Sequence, residues 1–203
     1  MIKTIVLNAS LKHKDNNAPS NTEELTQLVL DNMAKETEME SEIIRLSDYQ
    51  IDVGLNFRES DSDQWPEIVE KIKAADVVIF ATPIWWGQRS SLMQRVIERM
   101  DALDEEYLAT GRSALLGKVA GVVITGSEDG AQQVLGSLLE VLTFMNFTIP
   151  PQACAYWVGE VGNDPKTDRE RRLANQAAPH MAKNLAKSLV QFANILKNNP
   201  LDK

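Results

Sequence analysis

The sequence predicts an α/β fold built on a doubly wound parallel sheet, and three observations carry that prediction. Apolar runs of strand length alternate with amphipathic helical patterns along the whole 203-residue chain. The strongest runs, Val77-Val78-Ile79-Phe80 and the stretch from Val119 onward, are nearly continuous, as strands covered on both faces require. Turn-forming and hydroxyl residues gather after the first, third and fourth runs, where the loops at the carboxyl ends of strands lie.

In chain order, residues 4–8 form the first strand pattern and 22–35 the first helix. A second strand at 42–46 is followed by a polar stretch, 48–64, and a helix at 66–74. The third strand spans 76–81, and a helix at 90–100 carries Leu92, Val96, Ile97 and Met100 on one face. Residues 101–118, like 48–64, are long for a connection and are expected to be surface loops. A fourth strand at 119–125, a helix at 131–145 and a fifth strand near 153–158 complete the alternation. Beyond residue 168 a last helical region contains Pro179, expected to break or kink it. Past that proline, Met181, Leu185, Leu189, Phe192 and Leu196 make one apolar stripe. There is no internal repeat, low-complexity tract or linker composition, so residues 1–203 are expected to form one domain.

Composition narrows the function classes. A formal net charge of −8 argues against nucleic acid or an anionic membrane as the main partner. Cys154 is the only cysteine, which rules out an internal disulfide and an all-cysteine metal site. The amino terminus runs directly into a strand without a signal-peptide pattern, and no apolar stretch reaches the roughly 20 residues that span a bilayer. A soluble, cytoplasmic protein is expected.

The most informative stretch is Ala81 to Asp101, ATPIWWGQRSSLMQRVIERMD. A buried strand hands over to a helix through Pro83, Ile84, Trp85, Trp86 and Gly87, and large flat rings in such a loop suit a planar ligand. The first strand-to-helix connection places Ser10, Ser20, Asn21 and Thr22 just ahead of a helix, whose free N–H groups and dipole favour an anion. Lys12 and Lys14 add positive charge there. Ser20 with Glu23 is also a capping box that needs no ligand, and Glu23 and Glu24 put negative charge close by. Phosphate binding and simple capping both stay open for this loop. The third connection, Thr125-Gly126-Ser127-Glu128-Asp129-Gly130, has two glycines that permit close approach to a ligand.

Together these segments resemble the NADPH-dependent FMN reductase branch of the flavodoxin-like flavoproteins. The residues that carry the resemblance are Ser10 with Ser20-Asn21-Thr22, Thr82 to Gly87 with Arg99 downstream, Thr125 to Gly130, and Tyr156-Trp157-Val158-Gly159. The resemblance implies a flavodoxin-like three-layer sandwich of strand order 2-1-3-4-5 that binds one FMN. It places the ribityl phosphate near Ser10, Lys12, Ser20, Asn21 and Thr22. It puts the isoalloxazine ring among Pro83, Ile84, Trp85, Trp86, Gly87, Thr125, Gly126, Ser127, Asp129 and Gly130. It also implies NAD(P)H as co-substrate, a homodimer or homotetramer, and a small acceptor such as a quinone or a flavin. Backbone N–H groups around Gly87 and Gly126 to Gly130 would face the pyrimidine edge, with no side chain essential as an acid or base. A non-enzymatic flavodoxin-type electron carrier is the alternative. The chain departs from the family's usual pattern in two places: Asn8-Ala9 precede Ser10, and Gln94 and Glu98-Arg99 stand on the helix after the aromatic loop.

Other residues have plainer readings. Trp65 and Trp157 are expected to be packing residues, His13 a solvated loop residue and His180 structural. The cluster from Glu59 to Asp63 reads as a solvated loop. No GxSxG elbow, GxGxxG after a strand or P-loop occurs, and residues 51–65 lack the cysteines of an iron–sulfur site.

Overall fold

The structure, a computed structural model, describes residues 1–13, 20–159 and 168–201. Its strands are β1 (Ile2–Asn8), β2 (Met39–Arg45), β3 (Val77–Trp85), β4 (Gln88–Arg89), β5 (Val119–Gly126) and β6 (Cys154–Val158). Five of them run parallel in the order β2-β1-β3-β5-β6, and β4 pairs antiparallel with the end of β3. Counting parallel strands alone, this is the expected 2-1-3-4-5 order. The order reverses between β1 and β3, so the loops leaving their carboxyl ends diverge and open a crevice there.

The sheet is covered on both faces because successive strand side chains alternate between two cores. Leu7, Val78, Phe80, Val122 and Ile124 face α2 (Trp65–Ala74), α3 (Ser91–Arg99) and α5 (Ala131–Phe144). Val6, Val77, Ile79, Val119 and Val123 face α1 (Asn21–Glu36) and α7 (Ala177–Asn198). The β2 strand lies at the sheet edge, where Glu40, Ser41 and Glu42 are exposed. It starts at Met39 rather than at 42, because it pairs with β1 along its whole length from Ile2↔Met39 to Asn8↔Arg45.

Three expectations are corrected. Residues 101–118 are not simply a loop: α4 (Asp101–Thr110) opens with Asp101 and Asp104 in its first turn and closes at Gly111 with φ 70°. Only Leu103 of that helix is buried, so it carries no apolar stripe to announce it. Pro179 breaks nothing. It sits in the first turn of α7, where its missing N–H has no intrahelical partner to lose, and the break falls earlier, after α6 (Asp168–Ala174). There the Asn175 Oδ1 accepts from the N–H groups of Ala177 and Ala178. Finally, the cluster from Glu59 to Asp63 is not wholly solvated. Asp63 is buried and pairs with buried Arg99 at 2.8 Å. Arg99 also donates to the carbonyls of Asp52, Asn56 and Phe57, which ties residues 51–63 to the end of α3. Burial pushes the Asp63 carboxyl up, but the N–H groups of Glu59 and Trp65 and the Arg99 guanidinium outweigh it and hold it below the usual carboxylate range.

The expected packing roles of the other residues stand. Trp65 and Trp157 are buried, with arginine guanidinium carbons 5.9 and 5.8 Å from their ring centroids. Leu185 and Leu189 are buried, and Met181, Phe192 and Leu196 pack at the margin of the same core. No helix among the described residues is long and apolar enough to cross a membrane.

Candidate functional site

A cleft of about 370 Å³ opens where β1, β3 and β5 end. Its first wall comes from the β1–α1 connection: Ser10, Leu11, Lys12, Ser20, Asn21 and Thr22. Its second is Pro83, Ile84 and Trp85, and its third is Thr125, Gly126, Ser127 and Glu128.

The first wall is held by a dense set of hydrogen bonds. Asn8 Oδ1 accepts from the Ser10 N–H at 3.0 Å, and Ser10 Oγ accepts from the Lys12 N–H at 3.4 Å. Ser20 caps α1, with its Oγ accepting from the Glu23 N–H at 3.3 Å. Only half of the expected capping box forms, because the Glu23 carboxylate turns instead to Arg45 and the Asn8 amide. Glu24 is likewise paired, with Arg172. Ser10, Ser20 and Thr22 are all buried. The hydroxyls of Thr22 and Thr125 meet at 2.8 Å, joining the first wall to the third. Lys14 falls outside the described residues.

The second wall differs from the expected loop. Pro83 does not end β3; the strand runs on to Trp85 and folds back into β4. The reason lies in the ladder. The Ala81 carbonyl accepts from Ala9 on the β1 side, so the Pro83 nitrogen, two residues on, faces the same side just past the end of β1. No ladder bond is lost by its lacking an N–H. Trp86 and Gly87 form the two-residue turn, with φ 49° and 73°, both positive as a type I′ hairpin requires. The tryptophans then separate. Trp85 lines the cleft and is 49% exposed, whereas Trp86 projects outward and is 88% exposed. The Trp86 N–H donates to Glu128 Oε1 at 2.8 Å, so this donor is taken up within the protein.

Glycine allows the second and third walls to touch. A Cβ at Gly126 would stand 2.9 Å from Ile84 side-chain atoms, and one at Gly130 would stand 2.7 Å from the Gly87 Cα. The hairpin is anchored behind by Arg89, which donates to Gln94 Oε1 and Ser137 Oγ, each at 2.7 Å. At its base, the Ser90 N–H donates to Thr82 Oγ1 at 3.1 Å and the Ser90 hydroxyl to the Ala9 carbonyl at 2.8 Å.

Eleven of the expected residues therefore line the cleft: Ser10, Lys12, Ser20, Asn21, Thr22, Pro83, Ile84, Trp85, Thr125, Gly126 and Ser127. Trp86, Gly87, Asp129 and Gly130 do not; Gly87 and Gly130 shape it by their mutual contact. Leu11 and Glu128 line it unforeseen. Both lie inside the two singled-out loops, and a lone loop carboxylate such as Glu128 carries no sequence signal of the direction it points. Among the described residues no group of three His, Cys, Asp or Glu side chains could hold a metal. Burial pushes the Cys154 thiol up to about 12, which leaves it protonated and unreactive near neutral pH.

Comparison with known proteins fits this architecture. Residues 2–160 match the family of NADPH-dependent FMN reductases, and the chain belongs to that family of flavin-associated oxidoreductases. It is 32% identical over 176 residues to the 8-demethyl-8-aminoriboflavin-5′-phosphate synthase of Streptomyces davaonensis, covering 81% of this chain. The match spans 66% of that relative's length, just under two thirds. Among solved structures the chain is similar to RosB, crystallised with bound 8-demethyl-8-formylriboflavin-5′-phosphate. That match has a TM-score of 0.85 and 27% identity, covering 99% of this chain and 82% of that one. A flavodoxin from the domain Archaea matches with a TM-score of 0.59 at 11% identity over 95% of this chain and 99% of that one, so the fold is flavodoxin-like.

Proposed function

We propose that the cleft binds riboflavin 5′-phosphate (FMN) and that the protein is an FMN-dependent NAD(P)H oxidoreductase delivering reducing equivalents to a quinone, a flavin or a similar small acceptor. The observation that carries this reading is the graded chemistry of the cleft. One end gathers three buried hydroxyl residues at the amino terminus of a 16-residue helix, beside Lys12. The other offers Pro83, Ile84 and Trp85. An anion belongs at the first and a flat apolar ring at the second. The volume of about 370 Å³ is of the size that small-molecule sites have.

In this reading Ser10, Ser20, Asn21 and Thr22 hold the phosphate, with Lys12 adding charge. Trp85 and Ile84 flank the ring, and backbone groups of Gly126 and Ser127 meet its polar edge. FMN, when bound, supplies the hydride and electron chemistry. The chain binds and orients, and none of its side chains has to take or give a proton. Glu128, at the ring end, instead sets a negative charge beside the entrance and holds the hairpin through the Trp86 N–H.

A second reading is favoured by the similarity to a synthase of a modified flavin phosphate: the flavin would be substrate rather than cofactor. One experiment separates them. The protein is incubated with FMN and NADPH or NADH, nicotinamide oxidation is followed with a quinone present, and the recovered flavin is weighed by mass spectrometry. Oxidation with unaltered flavin is the expected result. A new flavin mass favours the second reading. Bound FMN without nicotinamide oxidation returns the protein to an electron carrier, and no flavin binding contradicts all three.

A further inference from the structure

The first turn of α1 carries two carboxylates, Glu23 and Glu24, where the helix end favours an anion. Left alone, they would oppose a phosphate. Each meets an arginine from elsewhere in the chain: Arg45 at the end of β2 pairs with Glu23, and Arg172 on α6 pairs with Glu24. Arg172 does more than neutralise. It is buried, it lies against the Trp157 ring, and its Nη1 donates to Asn21 Oδ1 at 3.0 Å. Asn21 lines the cleft. An amide whose oxygen is held by a guanidinium has its NH₂ on the opposite side, so it presents donors there and no lone pair.

We infer that Arg172 is a positioning residue that makes the amino-terminal end of α1 selective for a phosphorylated ligand, by cancelling Glu24 and fixing the Asn21 amide. It lies beyond the residues 2–160 that match the family, so the carboxyl-terminal segment completes the anion end of the cleft. The inference rests on the FMN reading above. Arg172 acts through its two neighbours, and its removal takes one guanidinium away from both the Glu24 carboxylate and the Asn21 amide.

The test compares two ligands that differ only by phosphate. Dissociation constants for FMN and riboflavin are measured by flavin fluorescence for the wild type, Arg172→Gln, Glu24→Gln and the double variant. Arg172→Gln is expected to weaken FMN about tenfold while moving riboflavin less than about twofold, an effect that shrinks at high salt. Adding Glu24→Gln is expected to recover most of that loss, which a merely structural role for Arg172 would not allow. Should Arg172→Gln fail to fold, Glu24→Gln alone still decides, because it should tighten FMN relative to riboflavin. An equal loss for both ligands, no recovery in the double variant, or an unchanged ratio in Glu24→Gln overturns the inference. A wild type that binds neither flavin overturns the FMN reading itself, and the inference with it.

Discussion

At the α1 end of the cleft, Ser10, Ser20 and Thr22 are buried, every carboxylate of the first helical turn is paired, and Ser10 and Ser20 are each hydrogen-bonded to a neighbouring residue. At the hairpin end Trp85 is half exposed, Trp86 is almost wholly so, and the turn is carried by a tryptophan at φ 49°. The first end is preorganised: a small charged group would find its partners in place and cost little reorganisation. The second presents the apolar groups of Pro83, Ile84 and a half-exposed Trp85, suited to a flat ring. Affinity should therefore reside at the anion end, and access at the hairpin.

Breaking the supports of each end sharpens this contrast. The largest effect is expected at the far end of α3, at the Arg99–Asp63 pair, where both side chains are fully buried. Asp63→Ala leaves a buried guanidinium unpaired and should cost about 3–5 kcal/mol in urea unfolding. The pair also sets an acid limit. The Asp63 carboxyl is held below its ordinary value of 3.8, so its contribution is present above that pH and is lost as pH falls below it. Asp63→Asn should flatten that part of the acid unfolding curve.

Gly130→Ala comes next. Its Cβ would meet the Gly87 backbone at 2.7 Å, and φ is 130°, so a loss of about 1–3 kcal/mol is expected, with the hairpin displaced from the third wall. Thermal unfolding reads the loss, and Trp fluorescence the displacement. Thr125→Val strips the Thr22 hydroxyl of a buried partner and should cost about 1–2 kcal/mol; FMN should weaken more than riboflavin, because the disturbance reaches the anion end. The smallest effect is at the exposed turn. Trp86→Gly removes a side chain from a left-handed position and should raise stability by up to about 1 kcal/mol. Its flavin affinity should hardly change, whereas Trp85→Ala should weaken flavin binding severalfold. The reverse order would mean that the outer ring is the one that stacks.

Much of this architecture was legible because sheet burial writes itself into sequence. The apolar runs of β1, β3 and β5 and the Ser-Asn-Thr cluster at the start of α1 located both the sheet and one wall of the cleft. What escaped depended on neighbours. Pro83 reads as a strand terminator, and only the end of β1 beside it shows why β3 continues. That Trp85 and Trp86 have opposite fates follows from a turn conformation that Trp-Gly does not advertise. Helix α4 is mostly exposed, buries only Leu103 and lacks a periodic signal. The partners of Glu23, Glu24 and Asp63 are arginines 22 to 148 residues away, which spacing along a chain cannot reveal.

The central claim is that this cleft holds a flavin by its phosphate, and desalting tests it most directly. Purified protein is loaded with excess FMN or excess riboflavin in parallel, desalted, and its visible absorbance recorded. Retained flavin bands with FMN, and little or none with riboflavin, is the predicted result. Equal retention of both, or of neither, would contradict it.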